Sequence, residues 1–394
     1  MKVVQFGLTY SPNLGDGIIA DCLTYGLKAR QPGTEVVQVD ISARTSRGEV
    51  IIRNRELILN ILDRLPMAIR HRLALWKLGA VIDKVEGDWR IAAQADLAVI
   101  GGGQIFSDAN LNFPVKLSRA AGVLAEAGTP TAVYAVGVSK NWSAKGTQLF
   151  RAVLGTNLKL VGIRDEGSRV AWTDQMQGGP AAEITLDPGL LAAACYGASD
   201  SKPRAVGLCI TDFSLLAHHA DSSVAGAGAG AVGFYVDIAA SLAVLGHRTT
   251  LFCNGAAEDL ALMQKVAAAP KLATLLASRQ VTIAPSAKTP TALARQISEF
   301  EAVIAHRLHA CIVAYSYGRP VVGLGWDQKL ESFFDMIGSQ DFFSSDAALD
   351  GQTVAKLAVD ALHQGLDPDL HQKTLEKAWG GIDRLLACAV NPTA

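Results

Sequence analysis

Short apolar runs alternate with longer helical patterns along the whole chain, and no other feature limits the fold as tightly. Strands are expected at 3–8, 35–41, 96–100, 131–136 and 158–163, with helices at 17–29, 117–127 and 166–173. In the first of these helices Ile18, Ile19, Cys22, Leu23 and Leu27 supply the apolar positions. The alternation resumes with strands at 205–210, 249–253, 280–284, 301–305 and 320–324. Helices at 234–245, 257–268, 289–298, 308–317 and 328–336 stand between and after them. Strands that alternate with helices pair in parallel, and the helices cover both faces of the sheet. The expected fold class is α/β.

At 394 residues the chain is long for a single hydrophobic core. The polar stretch Tyr196-Gly-Ala-Ser-Asp-Ser-Lys-Pro-Arg204 breaks the alternation and is expected to be a linker. It separates an N-terminal lobe, 1–195, from a C-terminal lobe, 205–394, whose last helices are expected to pack back on the first. In two Rossmann-like lobes, ligands gather at the carboxyl ends of the strands, so the active site is expected in the cleft between the lobes.

Composition narrows the function classes. Lys and Arg number 36 against 37 for Asp and Glu, a formal charge of -1, which gives no basic excess for binding nucleic acid. The six cysteines, Cys22, Cys195, Cys209, Cys253, Cys311 and Cys388, show no metal-ligand spacing and mostly sit among apolar neighbours, as free thiols in a reducing compartment do. The opening run Met1–Leu8 carries the polar Gln5 and leads to an early Gly-Asp turn, so it reads as a buried strand rather than a signal peptide. No apolar run is long enough to span a bilayer. The expected location is the cytoplasm. Residues 53–90 stand apart as basic and amphipathic, with Arg53, Arg55, Arg64, Arg70, Arg72 and Lys77 beside Leu57, Ile58, Ile61, Leu62, Leu73, Leu75 and Trp76. An ordinary pair of surface helices accounts for this pattern, and so does a peripheral contact with the inner face of the plasma membrane.

The densest polar cluster is His306-Arg307-Leu308-His309, where an apolar strand gives way to a helix. A strand end that meets a helix N-terminus favours anions, because free N–H groups and the helix dipole both face the ligand. Arg307 can grip a carboxylate or phosphate through two parallel hydrogen bonds, and an imidazole can move a proton near neutral pH. Local capping or pairing is the competing account. Further on, Gly325-Trp326-Asp327 precedes a helix with Lys329 in its first turn, where a cation opposes the dipole and needs an anionic partner or open solvent. Asn13-Leu-Gly-Asp16-Gly17 joins the first strand to the first helix, with Asp16 placed to cap it. The triple glycine Gly101–Gly103 would follow the strand at 96–100 as a nest of N–H donors or a plain tight turn. Neither glycine turn is G-x-G-x-x-G, which disfavours a dinucleotide. Arg164 follows a strand and either faces the cleft or pairs with Asp165 or Glu166, while Asp187 precedes a Pro-Gly turn that it can simply hold.

Taken together, Asn13-Leu-Gly-Asp16, Gly101–Gly103, Gly162-Ile-Arg164-Asp165 with Ser168, Asp187-Pro188, Arg307-Leu308-His309-Ala310, and Gly318-Arg-Pro320 with Asp327 and Lys329 resemble the polysaccharide pyruvyl transferases in order and spacing from about residue 7 to 337. The resemblance implies a GT-B-like pair of lobes, phosphoenolpyruvate as donor, and as acceptor a sugar of a glycan or lipid-linked oligosaccharide, as in exopolysaccharide or cell-wall polysaccharide synthesis. It implies no cofactor and no metal. His309 would be the proton donor. Arg164 and Arg307, helped by Leu308 and Lys329, would hold phosphoenolpyruvate on the C-terminal lobe, with the acceptor on the N-terminal lobe. Asn13, Asp16, Gly102, Gly103, Asp187, His306 and Asp327 would line the cleft. Two alternatives stay open: a glycosyltransferase using a sugar nucleotide on the same scaffold, and a non-catalytic binding relative.

Overall fold

The computed structural model describes residues 1–48, 66–197, 203–217 and 224–389. The chain forms two compact units, one built from 1–11, 19–188 and 378 onward, the other from 12–18 and 189–377. The division falls after Pro188, ahead of the polar stretch 196–204, of which 198–202 lie outside the described residues. The reason is local bonding. Ala193 N donates to Ser316 Oγ at 3.2 Å, and the Tyr317 hydroxyl donates to Gly197 O at 2.9 Å, tying 189–197 to the second unit.

In the first unit the strands are β1 (Lys2–Gly7), β2 (Glu35–Asp40), β3 (Leu97–Phe106), β4 (Pro130–Val138), β5 (Asn157–Ile163) and β6 (Glu183–Ile184). They lie in the order β2-β1-β3-β4-β5-β6, all parallel. Val3, Val4 and Phe6 of β1 and Leu97–Ile100 of β3 are fully buried, as strands covered on both faces must be. The core continues through Trp89, Leu124, Phe150 and Trp172.

The second unit holds β7 (Val206–Cys209), β8 (Thr249–Phe252), β9 (Val281–Ile283), β10 (Ala302–Ala305), β11 (Val321–Leu324) and β12 (Phe343–Ser344). Their order is β12-β11-β10-β7-β8-β9, again all parallel. Read from β9, this is the doubly wound Rossmann arrangement, in which the winding reverses between β7 and β10. A crevice opens at such a reversal, outside the carboxyl ends of the two strands. The residues that follow β10 are His306 and Arg307.

Two local expectations are corrected. The first helix runs Leu14–Arg30, not from residue 17. Asn13 precedes it, and its Oδ1 accepts from Gly15 N at 3.3 Å, so Asn13 takes the capping place expected of Asp16. Asp16 lies inside the first turn, where a carboxylate suits the dipole. Likewise β3 does not stop before the glycines but runs through them, with Gly101 opposite Tyr134 and Gly103 opposite Val136. Gly102 and Gly103 have φ of +83° and +74°, and the register shifts after Gly103. A Cβ on Gly102 would lie 2.5 Å from Ile19 Cγ2, so this glycine lets the first helix pack close to the strand.

Candidate active site

Arg307 directly follows β10 and stands at the N-cap of the helix Leu308–Ser316. Its guanidinium Nη2 donates to Asp259 Oδ2 at 2.6 Å. Asp259 lies in the first turn of the helix that follows β8, with its side chain 0% exposed. The other oxygen of the same carboxylate accepts from Asp212 N at 2.8 Å, just beyond β7. One buried carboxylate thus bridges the two sides of the reversal point and holds the arginine there. Burial raises the Asp259 pKa above the ordinary carboxylate value, and the neighbouring Arg307 works against that rise. Arg307 Nε is buried without a hydrogen-bond partner among the described residues. The arginine therefore has donor capacity to spare at a helix N-terminus.

His309 sits in the first turn of that helix, half-buried. Residues 12–18 are placed against it. A Cβ on Gly15 would fall 2.6 Å from His309 Nδ1, so only glycine fits there. Leu14 N donates to Asn254 O at 3.1 Å. Gly255, with φ of +97°, leaves room for Leu14 and for the carbonyl of Pro12. The Asn13-Leu-Gly-Asp16 turn and the Arg307-Leu308-His309 turn, far apart in sequence, are neighbours in the second unit.

The other expected residues have other surroundings. His306 is fully buried and is not a cleft residue. Its Nε2 lies 3.1 Å from Ala225 O and its Nδ1 3.0 Å from the Tyr235 hydroxyl, with Phe213 and Phe234 against the ring. A carbonyl only accepts, so Nε2 carries the proton and Nδ1 accepts from Tyr235. Burial lowers its pKa to about 3, which leaves it neutral and structural. Asp327 caps the helix Gln328–Met336 by accepting from Leu330 N at 3.1 Å. It also meets Lys329 at 2.7 Å, and Lys329 Nζ stands 5.0 Å from the centre of the Trp326 ring. The cation in a helix first turn is thereby answered by its own cap. Trp326 is fixed in turn, because its Nε1 donates to His306 O at 2.7 Å.

In the first unit, Arg164 and Asp187 come together. Arg164 is 8% exposed, with Nη1 3.4 Å from Asp187 Oδ2, Nε 3.7 Å from Asp165 Oδ2 and Nη2 3.3 Å from Gln104 Oε1. A side chain at Gly137 would collide with both Gln104 and Arg164. Asp165 also caps the helix Glu166–Gln175, so it has two tasks. Asp259, Asn254 and Gln104 were not legible as site residues. Asp259 looks like any acid in a helix first turn, and its partner lies 48 positions away. Among the described residues no group of three or more His, Cys, Asp or Glu is placed to hold a metal ion.

The fold has counterparts among solved structures. A protein assigned as UDP-N-acetylglucosamine 2-epimerase from Listeria monocytogenes is 11% identical, with 98% of this chain and 95% of that chain covered and a TM-score of 0.58. The UDP-GlcNAc 2-epimerase of Methanocaldococcus jannaschii is 9% identical, covering 98% and 99%, with a TM-score of 0.51. ADP-heptose lps heptosyltransferase II of E. coli is 16% identical, covering 92% and 99%, with a TM-score of 0.43. At such identities the likeness to the two epimerases is one of fold, and it agrees with the paired Rossmann-like, GT-B-like class. A comparison with curated proteins gives no match. The sequence profile of the polysaccharide pyruvyl transferases matches residues 13–328, from the Asn13 turn through Arg307-Leu308-His309 to the start of the Gln328 helix. The chain belongs to the polysaccharide pyruvyl transferase family.

Proposed function

We propose that the protein transfers pyruvate from phosphoenolpyruvate to two hydroxyls of a glycan sugar, forming a cyclic ketal and releasing phosphate. One observation carries the reading beyond family membership. Arg307 is fixed by a buried carboxylate at a helix N-terminus on the sheet's reversal point, and His309 lies in the same first turn. A small dianion suits the first group, and protonation of an enol ether carbon suits the second.

His309 gives a proton to the methylene carbon, which becomes the methyl group. The adjacent carbon turns oxocarbenium-like, and a sugar hydroxyl attacks it. The bond from this carbon to the phosphate oxygen then breaks, and the second hydroxyl closes the ketal. Two hydroxyl protons are released. One replaces the proton given to carbon, and the other leaves with phosphate. Arg307 and the Leu308 N–H bind the donor and stabilise the departing phosphate. This reading also assigns to the donor Arg164, which Asp187 and Gln104 hold within the first unit, and Lys329. The chemistry calls for no metal or cofactor.

Thermal unfolding with phosphoenolpyruvate or with UDP-, GDP- and CMP-sugars tests the reading. Stabilisation by phosphoenolpyruvate alone is expected, of about 2.7 kcal/mol at a hundredfold excess over Kd. Stabilisation by a sugar nucleotide alone would replace this reading with a glycosyltransferase. With an oligosaccharide acceptor, phosphate release and acid-labile pyruvate on the glycan should appear together. His309→Ala should slow both about 10²–10⁴-fold with the fold retained.

A further inference from the structure

The helix Met67–Ile82 buries one side and leaves an apolar stripe on the other. Ala74 and Leu78 pack against the core of the first unit, and Ile82 is buried in it. Ile69, Leu73 and Trp76, spaced four and three residues apart, lie on the opposite face and are 48%, 40% and 73% exposed. An indole exposed to that extent, in line with two aliphatic side chains, is costly to leave in water without a partner. The helix carries Arg70, Arg72 and Lys77 and no acidic residue. Arg72 and Lys77 are exposed and form no ion pair among the described residues. Of the acids that follow the helix in sequence, Asp83 and Glu86 pair with Arg119, and Glu86 with Arg90 as well.

Charge decides among the occupants. A two-fold contact between copies would set this helix against itself, bringing cation to cation with no acid to compensate. An anionic bilayer answers both features, with apolar side chains entering the headgroup boundary and basic ones meeting lipid phosphates. We propose that the Met67–Ile82 helix docks the protein on an anionic lipid surface. With 16 residues and the cations Arg70, Arg72 and Lys77, this helix is too short and too charged to cross a bilayer, so the contact lies in the plane of the surface. This inference does not rest on the pyruvyl-transfer reading.

Flotation of the full chain with vesicles tests it. The protein should float with an equimolar mixture of phosphatidylglycerol and phosphatidylcholine, not with phosphatidylcholine alone, and added salt should release it. Arg72→Gln with Lys77→Gln should lower partitioning roughly 30-fold, from about 1 kcal/mol per basic residue near the surface. Ile69→Ser with Trp76→Ser should abolish flotation, while circular dichroism and the melting temperature stay as in the wild type. Indifference of flotation to either pair of substitutions, equal binding to both vesicle types, or no binding would overturn the proposal. So would a dimer in sedimentation that Trp76→Ser dissolves. The phosphoenolpyruvate thermal shift is read separately, so failure of docking and failure of the catalytic reading are distinguishable.

Discussion

His306 and His309 show how little a residue's type says about its task. Both are imidazoles in one short polar cluster, and by sequence either could move a proton. One is sealed among aromatic rings with both nitrogens engaged, and the other stands half-buried against Gly15. The sealed residue has a measurable consequence. An ordinary imidazole titrates near 6.5, and His306 is lowered to about 3 by burial. As pH falls through the upper value, the unfolded chain takes up a proton and the native state does not until the lower one. Stability is therefore present above pH 6.5 and is lost as pH falls towards 3, by of order 2 kcal/mol at about pH 5. Urea midpoints at neutral and acid pH should show the loss, and His306→Gln should flatten it. Asp259 makes a second test at this scale. Asp259→Asn removes the charge that orients Arg307 and should raise the KM for phosphoenolpyruvate about tenfold while kcat changes less. An unchanged KM with a lowered melting temperature would leave Asp259 a purely structural role.

At the scale of elements, periodicity located most strands and helices within a few residues, because parallel strands buried on both faces leave continuous apolar runs. The ends were less legible. The first helix begins ahead of the expected place because Asn13, not Asp16, accepts the orphan N–H. Strand β3 runs through three glycines because its neighbour β4 continues beside it, a fact of pairing that local composition does not carry. Asp327 shows an element end with two tasks, capping the Gln328 helix and neutralising Lys329. Asp327→Ala should lower unfolding stability by about 1 kcal/mol in denaturant titration, as loss of an N-cap does. A loss of phosphoenolpyruvate binding well beyond the change in stability would assign Lys329 a ligand role.

Over the whole molecule the chain does not divide at one point. Residues 12–18 belong with the second unit, and residues from 378 onward belong with the first. In that terminal segment Ile382 and Leu385 are fully buried, Trp379 packs near Tyr25, and Arg30 lies over the Trp379 ring. Truncation after Lys377 should destabilise the first unit by several kcal/mol, since each fully buried aliphatic side chain contributes about 1.5–3 kcal/mol. Differential scanning calorimetry should show the loss as an earlier transition. Truncation that left the melting profile unchanged would contradict the assignment of this segment to the first core.

Apolar periodicity by itself determined that this protein is an α/β chain with parallel sheets, because only layers buried on both faces accommodate such runs. The ordered set of short polar motifs carried the family. Only the tertiary structure decided which histidine is sealed, that a carboxylate far away in sequence holds Arg307, and that the first turn of the chain lies against His309. Those are contacts between distant residues, and their cost or benefit depends on burial and partners that arise when the sheets assemble.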